Sequence, residues 1–266
     1  MPILTRDGID LYYEVDGSGP PLLLVAGLAS DLLGWTPVRN ALAKRCRLIL
    51  IDNRGAGRTR PQDAPMSIAD MADDCMALLR HLGIAKAHVL GHSMGGFAAQ
   101  QCALRYPDMV DRLILAASSA ANSKRNDAMF ADWAAQFANG ADLKLWIRNF
   151  FYWIFTSRFF ENEQLFAAAL ELALAYPYPQ SPRDFANQVR AIAAYDAPGD
   201  LAAIRARTLV MAGREDLLFP LAESEHFAKR LPNATFSVID NAAHSIWIEQ
   251  PAAFAACVLE FLFSSD

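Results

Sequence analysis

Val89-Leu90-Gly91-His92-Ser93-Met94-Gly95-Gly96 is the stretch on which the fold turns. A short apolar strand, Ala87 to Leu90, runs into Gly-x-Ser-x-Gly and then into a helix rich in small residues. A serine on a tight strand-to-helix turn stands at the top of a sheet with its hydroxyl exposed. Gly91 and Gly95 leave room where a side chain would meet the neighbouring strand and helix. The helix beginning near Met94 points its N-terminal amides at the same place, where developing negative charge is favoured. Ser93 therefore reads as a nucleophile. The plainer alternative is a small-residue turn that merely lets a helix pack closely, and the rest of the chain has to separate the two.

Outward from this elbow, strand and helix alternate. Ile3 to Thr5 and Ile9 to Val15 read as strands joined by a turn at Asp7-Gly8. Leu22 to Val25 and Arg47 to Ile51 are short apolar runs of the kind buried on both faces of a sheet. Trp35 to Lys44 is predicted helical. Ser67-Ile68-Ala69-Asp70 resembles a capping box with Asp in the place of Glu. Ile68, Met71, Cys75, Leu78, Leu79 and Leu82 follow at helical spacing, and Gly83 closes that helix. Val110 to Leu115, Thr208 to Ala212 and Thr235 to Ile239 are further strands. Helices are predicted over Leu221 to Arg230 and from Ile246 or Pro251 to Phe263. This order predicts an α/β fold with a mostly parallel central sheet flanked by helices. In such sheets the active site lies beyond the strand C-termini. Ser93, Gly27-Leu28 and the Asp52–Arg58 loop should converge there.

The alternation stops between about Ala120 and Pro198. That stretch has helical periodicity, as over Asn162 to Ala175, and many aromatic residues, but no evident buried strand. It reads as an inserted helical lid. Residues 1–119 and 199–266 then form the core domain and 120–198 the cap. Most of the aromatics should be the cap's own core. Trp146, Phe150, Trp153 and, from the last helical stretch, Trp247 are the candidates for lining a substrate pocket. Phe150–Phe155 suits either a cleft wall or a contact between two copies in a homodimer.

Composition narrows the function. The 266 residues are 53% hydrophobic, ample for one large core. The formal net charge of −5 comes without a basic stripe, which argues against nucleic acid as a partner. No apolar run reaches the roughly 18 residues a membrane span needs. Met1 to Asp10 lacks the apolar core of a signal peptide. Cys46, Cys75, Cys102 and Cys257 are scattered through apolar segments, as expected of reduced core residues in a cytoplasmic protein. No cofactor and no metal are expected.

A nucleophilic serine needs a base and a carboxylate to orient that base. Two strands after the cap supply one candidate each. Asp216 follows Thr208–Ala212, and His244 follows Thr235–Ile239, both on the same side of the sheet as Ser93. The chain order Ser, acid, His is the one this architecture uses. His81 and His88 lie at the opposite edge, His226 lies within a helix, and His92 should point away from Ser93 and pack. Glu215, Asp240 and Asp111 are the rival acids. The oxyanion of a tetrahedral intermediate calls for backbone donors, with Met94 N–H as one and Leu28 N–H as the other.

At this point the chain resembles the α/β-hydrolase family over nearly its full length. The residues that carry the likeness are Gly27-Leu28, Asp52 to Gly57, Gly91 to Gly96, Gly213 to Asp216, and His244 with Glu249 to Pro251 behind it. The resemblance implies a triad of Ser93, Asp216 and His244, an oxyanion hole from Leu28 and Met94, and a structural role for the Asp52–Gly57 loop. Within the family the chain is most similar to small esterases and lactonases, including enol-lactonases and cofactor-free haloperoxidase-like esterases. It departs from the common pattern at Ala26, where many members carry His. A serine nucleophile disfavours haloalkane dehalogenases and epoxide hydrolases, which need a carboxylate.

The leading expectation is a serine hydrolase acting on a carboxylic ester or lactone of a small, partly apolar molecule. A second keeps the triad but uses it for C–C bond hydrolysis, a lyase reaction, or cofactor-free oxygenation or perhydrolysis, since fold does not fix function. A third is a non-catalytic small-molecule binder on the same scaffold.

Overall fold

The computed structural model describes residues 2–196 and 201–264. Among them are eight strands: β1 (Ile3–Arg6), β2 (Ile9–Asp16), β3 (Pro21–Val25), β4 (Arg47–Ile51), β5 (Ala87–His92), β6 (Val110–Ala116), β7 (Arg207–Gly213) and β8 (Ala234–Ile239). They form one sheet in the order β1-β2-β4-β3-β5-β6-β7-β8. β2 is antiparallel to both β1 and β4, and every other pairing is parallel. The helices are α1 (Thr36–Ala43), α2 (Ile68–His81), α3 (Met94–Arg105), α4 (Lys124–Ala138), α5 (Leu143–Ile154), α6 (Ser157–Glu161), α7 (Glu163–Leu174), α8 (Pro182–Ala193), α9 (Leu221–Lys229), α10 (Ile246–Glu249) and α11 (Pro251–Phe263).

The apolar strands divide their side chains by the two-residue period of the pleat. Leu23, Val25, Ile49, Ile51 and Val89 join the core built with Met71, Cys75 and Leu78 of α2 and Phe97 of α3. Leu22, Leu24, Leu48, Leu50 and Leu90 face the other way, toward Val38 and Leu42 of α1 and Phe254 and Val258 of α11. The sheet is thus covered on both faces, as its continuous apolar strands require. Ser67 and Asp70 form the expected capping box. The Asp70 N–H donates to Ser67 Oγ at 3.1 Å, and the Ser67 N–H donates to Asp70 Oδ2 at 2.8 Å.

Two helices differ from the sequence expectation. The stretch predicted as Trp35 to Lys44 is preceded by a 3₁₀ turn, Leu32–Trp35, capped by Asp31, whose Oδ1 accepts the Leu33 N–H at 2.9 Å. The final helix is broken into α10 and α11. Gln250 leaves the helical region just before Pro251, because the proline ring disfavours helix in the residue preceding it.

The five helices α4–α8 lie between β6 and β7, in the stretch read from the sequence as the cap. An antiparallel bridge between Ala121 and Asp196 ties its two ends together. The boundary expected at residue 198 lies outside the described residues. The aromatic side chains of these helices pack on one another, but their buried members join the same core cluster as α2, α3 and that face of the sheet, so the separate core expected of the insert is not formed. Trp146 stacks on Phe137 at 4.7 Å between ring centroids and meets Phe185 edge-on at 5.1 Å, and Trp133 lies 4.9 Å from Phe150. Among the described residues no helix is long and apolar enough to cross a membrane.

The elbow glycines should be intolerant. A Cβ on Gly95 would overlap the Val25 carbonyl, whereas one on Gly83 would meet nothing within 4 Å. Gly83 is constrained only by its φ of +69°. Gly95→Ala is expected to cost about 3 kcal/mol or to prevent folding, and Gly83→Ala about 1 kcal/mol. Urea unfolding of the two variants beside the parent checks this ranking.

Candidate active site

β5 ends at His92, and α3 begins at Met94. Ser93 alone makes the turn, at φ +53° and ψ −119°. A side chain held at positive φ costs on the order of 1–3 kcal/mol and persists only where its surroundings fix it. Here the Ser93 N–H donates to the Ala116 carbonyl at 3.0 Å, and the Ser93 carbonyl accepts Ser118 Oγ–H at 3.0 Å. A Cβ on Gly91 would overlap the Gly95 carbonyl, so both glycines of the motif are required by close approach. Among the described residues, Ser93 Oγ makes no hydrogen bond.

Asp216 follows β7, and its carboxylate is fixed from two sides. Oδ1 accepts the N–H groups of Leu218 at 2.8 Å and Phe219 at 3.0 Å. Oδ2 lies 3.0 Å from Nδ1 of His244. Both residues are buried, at 4% exposure each. This contact assigns the His244 tautomer: Nδ1 carries the proton toward the carboxylate, which leaves Nε2 as the ring's free base. The rival acids lie elsewhere. Asp240 is exposed and pairs with Arg214, Asp111 pairs with Lys86 at 3.0 Å, and Glu215 is exposed beside Asp216. Of the other histidines, His81 contacts Tyr13, His88 lies beside Asp111, and His226 sits in α9.

The main chain around His244 is held at three consecutive residues. The Ala243 N–H donates to Glu249 Oε2 at 2.7 Å. The His244 carbonyl lies 3.1 Å from Nε2 of His92. The Ser245 N–H donates to the Ile154 carbonyl at 3.0 Å. The other Glu249 oxygen accepts the Thr156 N–H at 3.0 Å and the Thr156 hydroxyl at 2.7 Å. One carboxylate thus joins the histidine loop to the junction of α5 and α6 in the cap. A carbonyl accepts only from a donor, so His92 carries its proton on Nε2. Its Nδ1 is buried without a partner. Burial, with the His244 ring nearby, pushes the His92 pKa well below the usual imidazole value, so the ring is neutral. As the sequence implied, His92 packs rather than reacting. What the sequence did not reveal is the residue it supports.

Leu28 lies in the loop after β3, against the elbow. A Cβ on the preceding Gly27 would come within 3.1 Å of the Ser93 Cβ and 3.0 Å of His92 Nδ1. Among the described residues neither the Leu28 nor the Met94 N–H has an acceptor. From the other direction Asn53 Nδ2 donates to the Ala26 carbonyl at 2.9 Å. Asp52 anchors the same region, accepting the Leu32 N–H at 3.0 Å and the Arg58 N–H at 2.8 Å. Burial nevertheless pushes its carboxyl up to about 6.

The four aromatic pocket candidates separate. Trp146 is buried among the aromatics of the insert, and its Nε1–H donates to the Trp133 carbonyl at 3.0 Å. Phe150 is half-buried against the same cluster. Trp153 is half-buried, with the Arg125 guanidinium 5.5 Å from its ring centroid. Trp247 is a correction. Its ring packs 4.1 Å from His92 and 5.2 Å from Trp35, and Nε1–H donates to the Gly34 carbonyl at 2.7 Å. It belongs to the core on the α1–α11 face and backs His92. Besides the His92 ring at 4.7 Å, the His244 ring has Phe219 5.7 Å away, with Phe97 edge-on to Phe219 at 6.2 Å. Neither stood out in the sequence, because a single Phe in a loop or helix carries no periodic signal.

Comparison with known proteins adds four findings. The sequence profile of the alpha/beta hydrolase fold matches residues 20–251. A protein of Caulobacter sp. (strain K31), named “Putative carbamate hydrolase RutD”, is 34% identical over 97% of each chain. In structure the chain is similar to the enol-lactonase from Burkholderia xenovorans LB400, with TM-score 0.88 and 26% identity over 98% of this chain and 99% of that one. A hydrolase from Pseudomonas aeruginosa PA01 also gives TM-score 0.88, at 28% identity over 99% of this chain and 98% of that one.

Glu249→Gln would set an amide N–H₂ against at least one of the donors that the carboxylate now accepts. The expected loss is about 2 kcal/mol of folding free energy. Chemical unfolding of Glu249→Gln beside the parent measures it.

Proposed function

The chain belongs to the alpha/beta hydrolase fold family and is a hydrolase, and on that premise we propose that it cleaves a carboxylic ester or lactone through an acyl-enzyme on Ser93. The observation that carries this reading is the buried Asp216–His244 pair, with His244 beside the strained serine turn through His92. Ser93 Oγ attacks the substrate carbonyl carbon, and its proton passes to Nε2 of His244. The imidazolium that forms keeps its Nδ1–H on Asp216, which stabilises it without taking the proton. The negative charge gathered on the carbonyl oxygen is met by the unoccupied N–H groups of Leu28 and Met94, at the positive end of α3. Collapse of the tetrahedral intermediate breaks the carbonyl carbon–alkoxy oxygen bond, and the leaving alkoxide takes the proton from His244. Water then repeats the sequence on the acyl-enzyme, with His244 as its base, and frees the acid and Ser93.

A carbamate is the second reading, favoured by the RutD relatives. Its carbonyl would form the same kind of intermediate at Ser93. It is less electrophilic than an ester carbonyl because the nitrogen lone pair delocalises into it, so the two substrates demand different degrees of oxyanion stabilisation from one site.

A fluorophosphonate is expected to label Ser93 stoichiometrically, and Ser93→Ala to lose both labelling and turnover. Asp216→Asn should lower kcat by about 10⁴-fold, the scale seen when a triad carboxylate is neutralised and the wrong tautomer results. Rates on p-nitrophenyl esters, a lactone and an aryl carbamate rank the substrate classes. A folded protein that is neither labelled nor active on any of them overturns the reading.

A further inference from the structure

Gln188 stands in the cap helix α8, yet its amide reaches the main chain of two loops at the strand ends, those after β3 and β4. The side chain is 0% exposed. A buried amide without partners is costly, so both halves must be satisfied. Nε2–H donates to the Arg54 carbonyl at 3.0 Å, and Oε1 accepts the Ala29 N–H at 3.4 Å. This pairing fixes the orientation of the amide, because a carbonyl needs a donor and an N–H needs an acceptor. Arg54 is itself anchored by its guanidinium on the buried Asp74.

Ala29 is a residue that needs holding. Its φ is +57°, in the left-handed region that non-glycine residues rarely adopt. It immediately follows Leu28, whose amide is one of the two oxyanion donors. Below, Asn53 grips the Ala26 carbonyl at 2.9 Å. Leu28 is thus suspended between a tether from the core on one side and a tether from the cap on the other.

We propose that Gln188 is a positioning residue for the oxyanion hole, holding the Leu28 amide in place through Ala29. The proposal rests on the serine-hydrolase reading above and extends it. Gln188 touches neither substrate nor Ser93, and it acts only through the loop. The cap therefore has a share in transition-state stabilisation as well as in enclosing the substrate. Lifting α8 off the core would take the acceptor away from Ala29 and slacken the donor beside it.

The test uses Gln188→Met, which keeps the volume and removes both hydrogen bonds, and Gln188→Glu, which keeps the acceptor. Outright loss of an oxyanion donor costs about 10²–10³ in kcat. Displacing one should cost about tenfold. The expected result for Gln188→Met is that drop in kcat with KM little changed, an equal weakening of an acyl-type trifluoromethyl ketone inhibitor, and complete labelling of Ser93 by a fluorophosphonate. In Gln188→Glu an ionised carboxylate cannot donate to the Arg54 carbonyl, but a protonated one can. Its kcat relative to the parent should rise as pH is lowered from 8 toward about 5, in the range where a buried carboxyl takes up its proton. If both variants match the parent within twofold in kcat and in inhibitor affinity, or if the loss is confined to KM and unfolding midpoint, the proposal is overturned. A parent protein without labelling or ester turnover overturns the hydrolase reading and this proposal together. An active, labelled parent with indifferent variants overturns this proposal alone.

Discussion

The architecture depends on how closely the first turn of α3 can approach the ends of the central strands. Gly95 lies against the Val25 carbonyl and Gly91 against the Gly95 carbonyl, with no room for a methyl group at either position. That proximity forces Ser93 alone to make the reversal from strand to helix, and so forces its positive φ. The strain is held by two hydrogen bonds from the neighbouring β6 end, at Ala116 and Ser118. Crowding, strain and restraint together place one hydroxyl where a helix presents its unpaired amides. Any residue with a side chain at the two glycine positions would move that hydroxyl before it changed any chemistry.

The second constraint lies in the backbone of the histidine loop. His244 is oriented by Asp216 at its ring and by His92, Glu249 and Ile154 along its main chain. Trp247 and Trp35 pack behind His92, so the aromatic cluster on the α1–α11 face of the sheet backs the histidine loop. For the proposed reaction this support matters because proton transfer is sensitive to small misplacements of the groups that exchange the proton.

Much of this was legible in the sequence because the relevant signals are local. Apolar runs such as Leu22–Val25 and Arg47–Ile51 are buried strands at nearly the lengths read from them. The Ser67–Asp70 cap, the Gly83 stop and the helical insert after β6 follow from short-range chemistry. That Asp216 and His244 come together, at 3.0 Å, could be read from the sequence because strand ends are easy to find and chain order narrows the choice. Polar contacts between distant segments were not legible. Nothing near Gln188 or Glu249 in the chain announces that their side chains reach Ala29 or Ala243. Trp247 misled for a related reason: the sequence shows a large aromatic ring near His244 but not which face of the sheet it packs on. The split between α10 and α11 is a borderline case, because Pro251 marks the break and the apolar pattern runs through it.

The bridge between Ala121 and Asp196 brings the two ends of the insert side by side. To the sheet, the whole cap is one excursion that leaves and returns at a single doorway. An excursion closed at its base can lengthen, shorten or change its contents at little entropic penalty to the frame, since loop closure grows only slowly with loop length. Diversification of what the enzyme accepts can then proceed in the insert while the strand frame stays constant, provided the few threads that cross from one to the other, Gln188 and Thr156 among them, are kept or replaced in kind.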